Sequence, residues 1–408
     1  MKLSRYFFPF FALFVIFADE LFLSFGSVTG IVLVSGMKSR MAIVIAAIAY
    51  TMLFVDFLQQ KLTKRNFRQL VVLLVIMVLY YVTSLFYQPS IDNYWTHLLV
   101  YGALCVPASY VGMKMARTDC EEPMMKMLPF FVMFIVFAVS RAVLTMSFAG
   151  SILQGDDDDA FNYQTASYYL SFCFAYCFFY VFFLRKDSRL VHNKNVLNII
   201  ITIIMLALMF VCAVGCLMGG GRGAFVFLIA ISAYLVFRVM GRGGKNNTRY
   251  IFLLLIGVLF LIYIANRLDI FESAGFLRVS SNLTNDDHRA SLWNRALQVF
   301  SESPIYGHGL GSIWWTVGFY SHNMLTDLLA ETGIVGALVV VTVLVKIVIT
   351  LVKRSYLSTL DMFMLIVMAG ALVEDTFSGY WISSGKLFLM FGYVYGLRTR
   401  KVIKVSNK

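Results

Sequence analysis

A histidine beside an asparagine, His322-Asn323, and arginines set beside glycine or aromatic residues are the side chains of this sequence best placed to do chemistry. His322 precedes the segment MLTDLLAETGIVG, which reads as a helix with Ser321 positioned to cap it. The positive end of a helix dipole disfavours an imidazolium, and a neutral imidazole is what a general base requires. The same helix end favours a bound phosphate. The alternative reading is that His322 and Asn323 only cap and solvate the helix end.

Arg222 lies in GGGRGAF, Gly219 to Phe225. Glycines such as Gly221 and Gly223 reach backbone conformations closed to other residues. They can aim several N–H groups at one anion, and the guanidinium adds a planar fork that suits phosphate. The other reading is a helix break with an arginine snorkelling to an interface.

Arg289 opens RASLWNRALQVF. Asn285, Asp286 or Asp287 can cap a helix whose apolar face holds Leu292, Trp293, Ala296, Leu297 and Phe300, and such a helix can lie flat on a membrane. Arg289 falls about one turn before Trp293, either at work on a ligand or resting on phospholipid. PIYGHGLGS, Pro304 to Ser312, then turns the chain back. His308, inside that turn, reads as exposed or packed and stays outside the catalytic set. The run Asp156 to Asp159 can collect a cation, but reads first as a solvated charge run.

These residues sit in one polar stretch, from about Arg289 to Gly336, of an otherwise apolar chain. The 408 residues are 60% hydrophobic and 14% charged, with mean hydropathy +0.78, more apolar surface than a soluble domain can hide. The composition therefore predicts an all-α, polytopic membrane protein. Alternating amphipathic strands are absent, which argues against an outer-membrane barrel. The net charge of +12 comes mostly from short connectors, where basic residues set topology, and so does not point to nucleic acid. Six cysteines show no disulfide or zinc pattern; Cys173, Cys177, Cys212 and Cys216 read as space-filling. Gly241 to Lys245, GRGGK, lacks the residues of a phosphate loop and reads as a turn.

Runs long enough to cross a bilayer lie near 6–25, 41–58, 70–88, 95–113, 127–149, 165–184, 196–217, 223–240, 250–266, 332–352, 359–375 and 380–397. They predict about 12 transmembrane helices, the first an uncleaved span. The segment 26–37 reads as a re-entrant or interfacial piece. Connectors near 61–68, 114–126, 185–194, 238–249 and 353–354, together with both termini, hold roughly 24 of the 34 basic residues. That side is the cytoplasm. Three regions follow: residues 1–266 with nine spans, 267–331 as a large outside (periplasmic) loop carrying an amphipathic helix, and 332–408 with three spans and a cytoplasmic tail. Arg222, Arg267, Arg278, Arg289 and Arg295 then face outward, and Arg141 falls in the outer half of the fifth span. Such arginines are functional candidates by default.

GGGRGAF, the R-x-x-L-W-x-x-A-L of Arg289 to Leu297, P-I-Y-G-H-G-L-G, and H-N followed by E-x-G-I-x-G up to Gly336 together carry a resemblance. In this order and spacing the chain resembles the bacterial O-antigen polymerase and O-antigen ligase superfamily. The resemblance implies a GT-C-like, membrane-embedded glycosyltransferase whose donor is a glycan on undecaprenyl diphosphate. In the family, arginines at the positions of Arg222 and Arg289 hold the donor diphosphate, and the histidine at the position of His322 deprotonates the acceptor hydroxyl. Arg141, Gly221, Gly223, Asn323 and Trp293 are supporting candidates. No nucleotide sugar, cofactor or metal is implied; membrane lipid, a glycan acceptor, a chain-length regulator and a flippase are the implied partners. The Gly triplet departs from the Ser-x-Ser-Arg common in relatives. Asp327, Glu331, Glu374 and Asp375 remain as scattered carboxylates suited to packing or to hydrogen bonds with an acceptor sugar.

Overall fold

A backbone in lipid must satisfy its own hydrogen bonds, and every element among the described residues is helical. The computed structural model describes residues 2–21, 37–62, 64–87, 92–148, 163–186, 196–241 and 287–397, with four more between 263 and 272. In chain order the helices are α1 (Lys2–Ile16), α2 (Met37–Leu58), α3 (Lys64–Ser84), α4 (Asp92–Val100), α5 (Val106–Met115) and α6 (Glu121–Phe148). They continue as α7 (Tyr163–Phe182), α8 (Val196–Gly219), α9 (Arg222–Met240), α10 (Asp287–Glu302) and the single turn α11 (Ile313–Thr316). The last are α12 (Met324–Arg354), α13 (Thr359–Phe377) and α14 (Gly385–Leu397). They overlap every expected span except 250–266, which lies almost wholly outside the described residues, as does the segment 26–37. Among the described residues seven helical stretches are long and apolar enough to cross a membrane, which fits a polytopic membrane protein. Leu58, Val78, Ile203 and Leu338 are among many large apolar side chains left exposed, as lipid-facing surface requires.

Two compact units divide the chain. The first comprises Met1–Ile16, Ser39–Cys120 and Asp287–Lys408. Its tightest seam is α5 against α14, where a Cβ on Gly112 would strike the Leu389 carbonyl and one on Gly392 the Ser109 carbonyl. Small residues at a membrane helix seam allow that backbone approach. A π-turn, Tyr101–Cys105, joins α4 to α5, and the Tyr50 hydroxyl donates to the Gly102 carbonyl in it (2.6 Å). Asp361 ties three helices together: it accepts from Arg354 Nε on α12 (3.1 Å) and from the Tyr393 hydroxyl on α14 (2.8 Å).

The second unit comprises Phe17–Lys38 and Glu121–Asp286, with α7 packed against α6, α8 and α9. Phe172 meets Phe227 edge to face at 5.1 Å, and the absence of a side chain at Gly215 admits Leu170. Cys173, Cys177, Cys212 and Cys216 are all buried on α7 and α8, as space-filling residues would be.

Candidate functional site

The first unit assembles most of the polar stretch. Helix α10 buries Leu292, Ala296 and Val299, a stripe at helical spacing, and packs on α12. The expected apolar face needs one correction: Leu297 is 42% exposed, and Val299 takes the buried place. Trp293 is half-buried, and its Nε1–H donates to the Ser321 carbonyl at 2.9 Å. That bond fastens α10 to the residue before His322. Arg289 stands on α10 one turn before Trp293, so the two positions share a face.

The turn after α10 grips a break in α12. Gly333 has φ 61° and ψ −171°, a conformation essentially restricted to glycine, and it interrupts the helix. The backbone groups that lose helical partners find new ones in the turn. His308 N–H donates to the Ala330 carbonyl (3.1 Å) and Gly309 N–H to that of Glu331 (2.8 Å). In return Ile334 N–H donates to the Pro304 carbonyl (2.9 Å) and Val335 N–H to that of Ile305 (3.3 Å). Gly307 and Gly333 lie where the two backbones touch; a Cβ on either would strike the other segment. The motifs P-I-Y-G-H-G and E-x-G thus form one joint. His308 is packed into it, with Nε2 at 3.0 Å from the Val299 carbonyl.

His322 sits at the head of α12 with φ 57°, one of only two non-glycine residues at positive φ among the described residues. Left-handed backbone is costly for L residues, though His and Asn tolerate it better than most. Strain of this kind clusters at functional sites. Nδ1 lies 3.3 Å from the Ser378 carbonyl, which also accepts from the Tyr320 hydroxyl (3.2 Å). A carbonyl only accepts, so a hydrogen bond at this contact requires the tautomer that carries its proton on Nδ1. The Tyr320 ring lies edge-on at 4.4 Å and that of Phe319 at 5.3 Å.

The cap of α12 is Asn323, not Ser321: Asn323 Oδ1 accepts from the N–H groups of Leu325 (2.9 Å) and Thr326 (3.4 Å). Ser321 Oγ instead bonds Thr326 Oγ1 at 2.6 Å. Because the capped turn follows His322 directly, Asn323→Ala is expected to lower stability by about 1 kcal/mol. Thermal unfolding of the solubilised protein measures it.

Asp327 and Glu331 are both 0% exposed, packed inside the protein. Asp327 Oδ1 accepts the Ser321 N–H at 2.8 Å. Glu331 accepts the Tyr380 hydroxyl at 2.6 Å, Trp381 Nε1 at 3.3 Å and the Gly311 N–H. Around them Trp314 stacks on His97 (4.6 Å) and meets Tyr380 edge to face (5.7 Å). Sequence reasoning passed over Ser378, Tyr320 and Tyr380. Ser378 acts through a backbone carbonyl, which no residue type signals.

Arg222 belongs to the second unit. Gly220 turns the chain at φ 76°, Gly221 is extended, and Arg222 is the first residue of α9, half-buried. The Gly221 N–H donates to Ser167 Oγ on α7 (3.1 Å), so that amide is engaged within the protein rather than left for an anion. Gly223 is buried in the first turn of α9. Arg141 lies on α6 in the same unit. Arg295 and Arg267 are exposed, the latter bonded to the Tyr263 hydroxyl at 3.3 Å. Arg278 and Asp156 to Asp159 lie outside the described residues. The structure thus brings together the α10 backbone bearing Arg289 with Trp293, His322 and Asn323, and holds Arg222, Gly221, Gly223 and Arg141 in the other unit.

Residues 204–341 match the family model described as O-antigen ligase. The matched segment, about a third of the chain, contains Arg222, Arg289 and His322. There the chain resembles the O-antigen polymerase and ligase superfamily. The match points to a membrane protein of polysaccharide and lipopolysaccharide biosynthesis with polymerase- or ligase-type function, and does not separate the two. No curated protein matches the chain.

Proposed function

We propose that this protein is a metal-independent membrane glycosyltransferase that polymerises undecaprenyl-diphosphate-linked repeat units into surface polysaccharide. It works at the outer face of the bacterial inner membrane, in a GT-C-like fold of about 12 spans with both termini cytoplasmic. The observation that carries this reading is His322, held in a left-handed conformation with its Nδ1 facing the Ser378 carbonyl at 3.3 Å. Nε2 takes the proton of the acceptor hydroxyl, whose oxygen then attacks the anomeric carbon of the donor. The bond from that carbon to phosphate breaks, and undecaprenyl diphosphate leaves with the electron pair. Arg222 and Arg289 carry the charge that develops on it, where a soluble enzyme would use a divalent cation. The apolar helices accommodate the polyprenyl tail.

Purified protein given lipid-linked repeat unit alone, without nucleotide sugar or metal, is expected to build a ladder of longer lipid-linked glycans. Arg222→Ala and Arg289→Ala should each slow it by about 10²–10³-fold. Lysine should restore little at either position, because a point charge does not replace a bidentate fork. Full-length glycan from either alanine protein, present in the membrane at normal level, would remove the enzyme reading. The description of the matched family favours one second reading, ligation of finished polysaccharide onto lipid A core. A polymerase null retains single-repeat surface glycan, whereas a ligase null has bare core and accumulates long lipid-linked chains.

A further inference from the structure

We propose that Asp327 and Glu331 are positioning residues: a pair of buried carboxylates that clamps both chain segments holding His322. The inference rests on the reading of His322 as the base.

The two carboxylates stand four residues apart on the first half of α12, one above the other on one helix face. Each holds a different segment. Asp327 holds the Ser321 N–H, and so fixes the chain immediately before the left-handed residue. Glu331 holds the side chains of Tyr380 and Trp381, and so fixes the short loop that begins at Ser378. That loop supplies the carbonyl facing His322 Nδ1. The imidazole is therefore set from two sides, its backbone through Asp327 and its ring through Glu331.

Both groups are fully buried, and burying a carboxylate is costly unless strong hydrogen bonds repay it. Packing alone does not require two of them here, since an apolar residue of similar size fills the same space without desolvation. What the carboxylates add is direction. Each accepts from a donor on a segment that touches His322, and Glu331 also accepts the Gly311 N–H from the turn beneath the site. Left-handed backbone at His322 and a ring fixed to one tautomer both cost free energy, and persist only where surrounding contacts over-determine them.

The test uses the full-length protein in lipid nanodiscs with lipid-linked repeat unit as substrate. Glu331→Gln keeps size and packing but loses the carboxylate that accepts both donors. It is expected to lower kcat about 10²-fold, the cost of a small misplacement of a catalytic group, with KM little changed. Tyr380→Phe cuts the same link from the other side and keeps the ring contacts with Trp314 and His97; it should act in the same direction. In a His322→Ala background neither change should lower the residual rate further, because a positioning residue has nothing left to position. Wild-type kcat in both variants, or an undiminished loss in the His322→Ala background, overturns the clamp. A His322→Ala protein as active as the parent removes the base reading, and the clamp with it.

Discussion

Replacing His322 by asparagine is expected to leave a protein that folds as well as its parent and turns over about 10²–10⁴-fold more slowly. The two halves of this outcome come from different properties of one residue. Activity falls because an amide takes no proton at neutral pH. Stability holds because asparagine is among the side chains that accept φ 57°, the backbone His322 adopts. Glycine at this position should go further and gain up to about 1 kcal/mol, since it bears no Cβ penalty there. Thermal unfolding and turnover measured on the same preparations decide the matter. An asparagine protein with parental turnover would end the proposal that His322 is the base. One that is strongly destabilised would show that the imidazole holds the structure rather than serving the reaction.

Gly333→Ala should fail at an earlier stage, in folding. At φ 61° and ψ −171° the position excludes a Cβ by conformation alone, at a cost of about 1–3 kcal/mol. The new Cβ would also strike the Ile305 carbonyl, and relieving that contact pulls apart a joint of four backbone hydrogen bonds. Losing them adds about 1 kcal/mol apiece, which places the change among the severe ones and predicts little folded protein. Gly318→Ala is the control. Gly318 also has positive φ, 87°, but a Cβ added there would meet nothing within 4 Å. It should lose only about 1–2 kcal/mol. Equal yields of the two variants would mean that the joint contributes little.

How much could be read without a structure depended on whether a feature was carried by side-chain pattern or by backbone. Apolar runs gave the helices, because burial in lipid demands length and composition and little else. Trp293 and the helix of Arg289 were legible for the same reason, although one position of the face was misread, Leu297 for Val299. The cap of α12 slipped by two residues because Ser321 and Asn323 are both good caps, and only geometry selects between them. The joint at Gly333 was beyond reach. Its bonds run between main-chain atoms of two segments, and its residues announced only a turn and a helix. Asp327 and Glu331 looked scattered because the side chains Glu331 holds, Tyr380 and Trp381, arrive from about fifty residues away. Ser167, which takes up the Gly221 amide, is equally remote in sequence.

The break at Gly333 also acts as a ruler. An unbroken helix from Met324 to Arg354 would be far longer than the hydrocarbon layer is thick. The part beyond the break, Ile334 to Arg354, rises about 31 Å at 1.5 Å per residue, close to the roughly 30 Å of a bilayer core. On the proposed function, the near side of the glycine, with His322 and the two buried acids, stands at headgroup depth. A lipid-borne diphosphate lies at that level, so on the same proposal a donor of that kind meets His322 without being lifted out of the membrane. The proposal then makes bilayer thickness a control on turnover, since thicker or thinner lipid would shift the donor and leave the imidazole where the helix holds it.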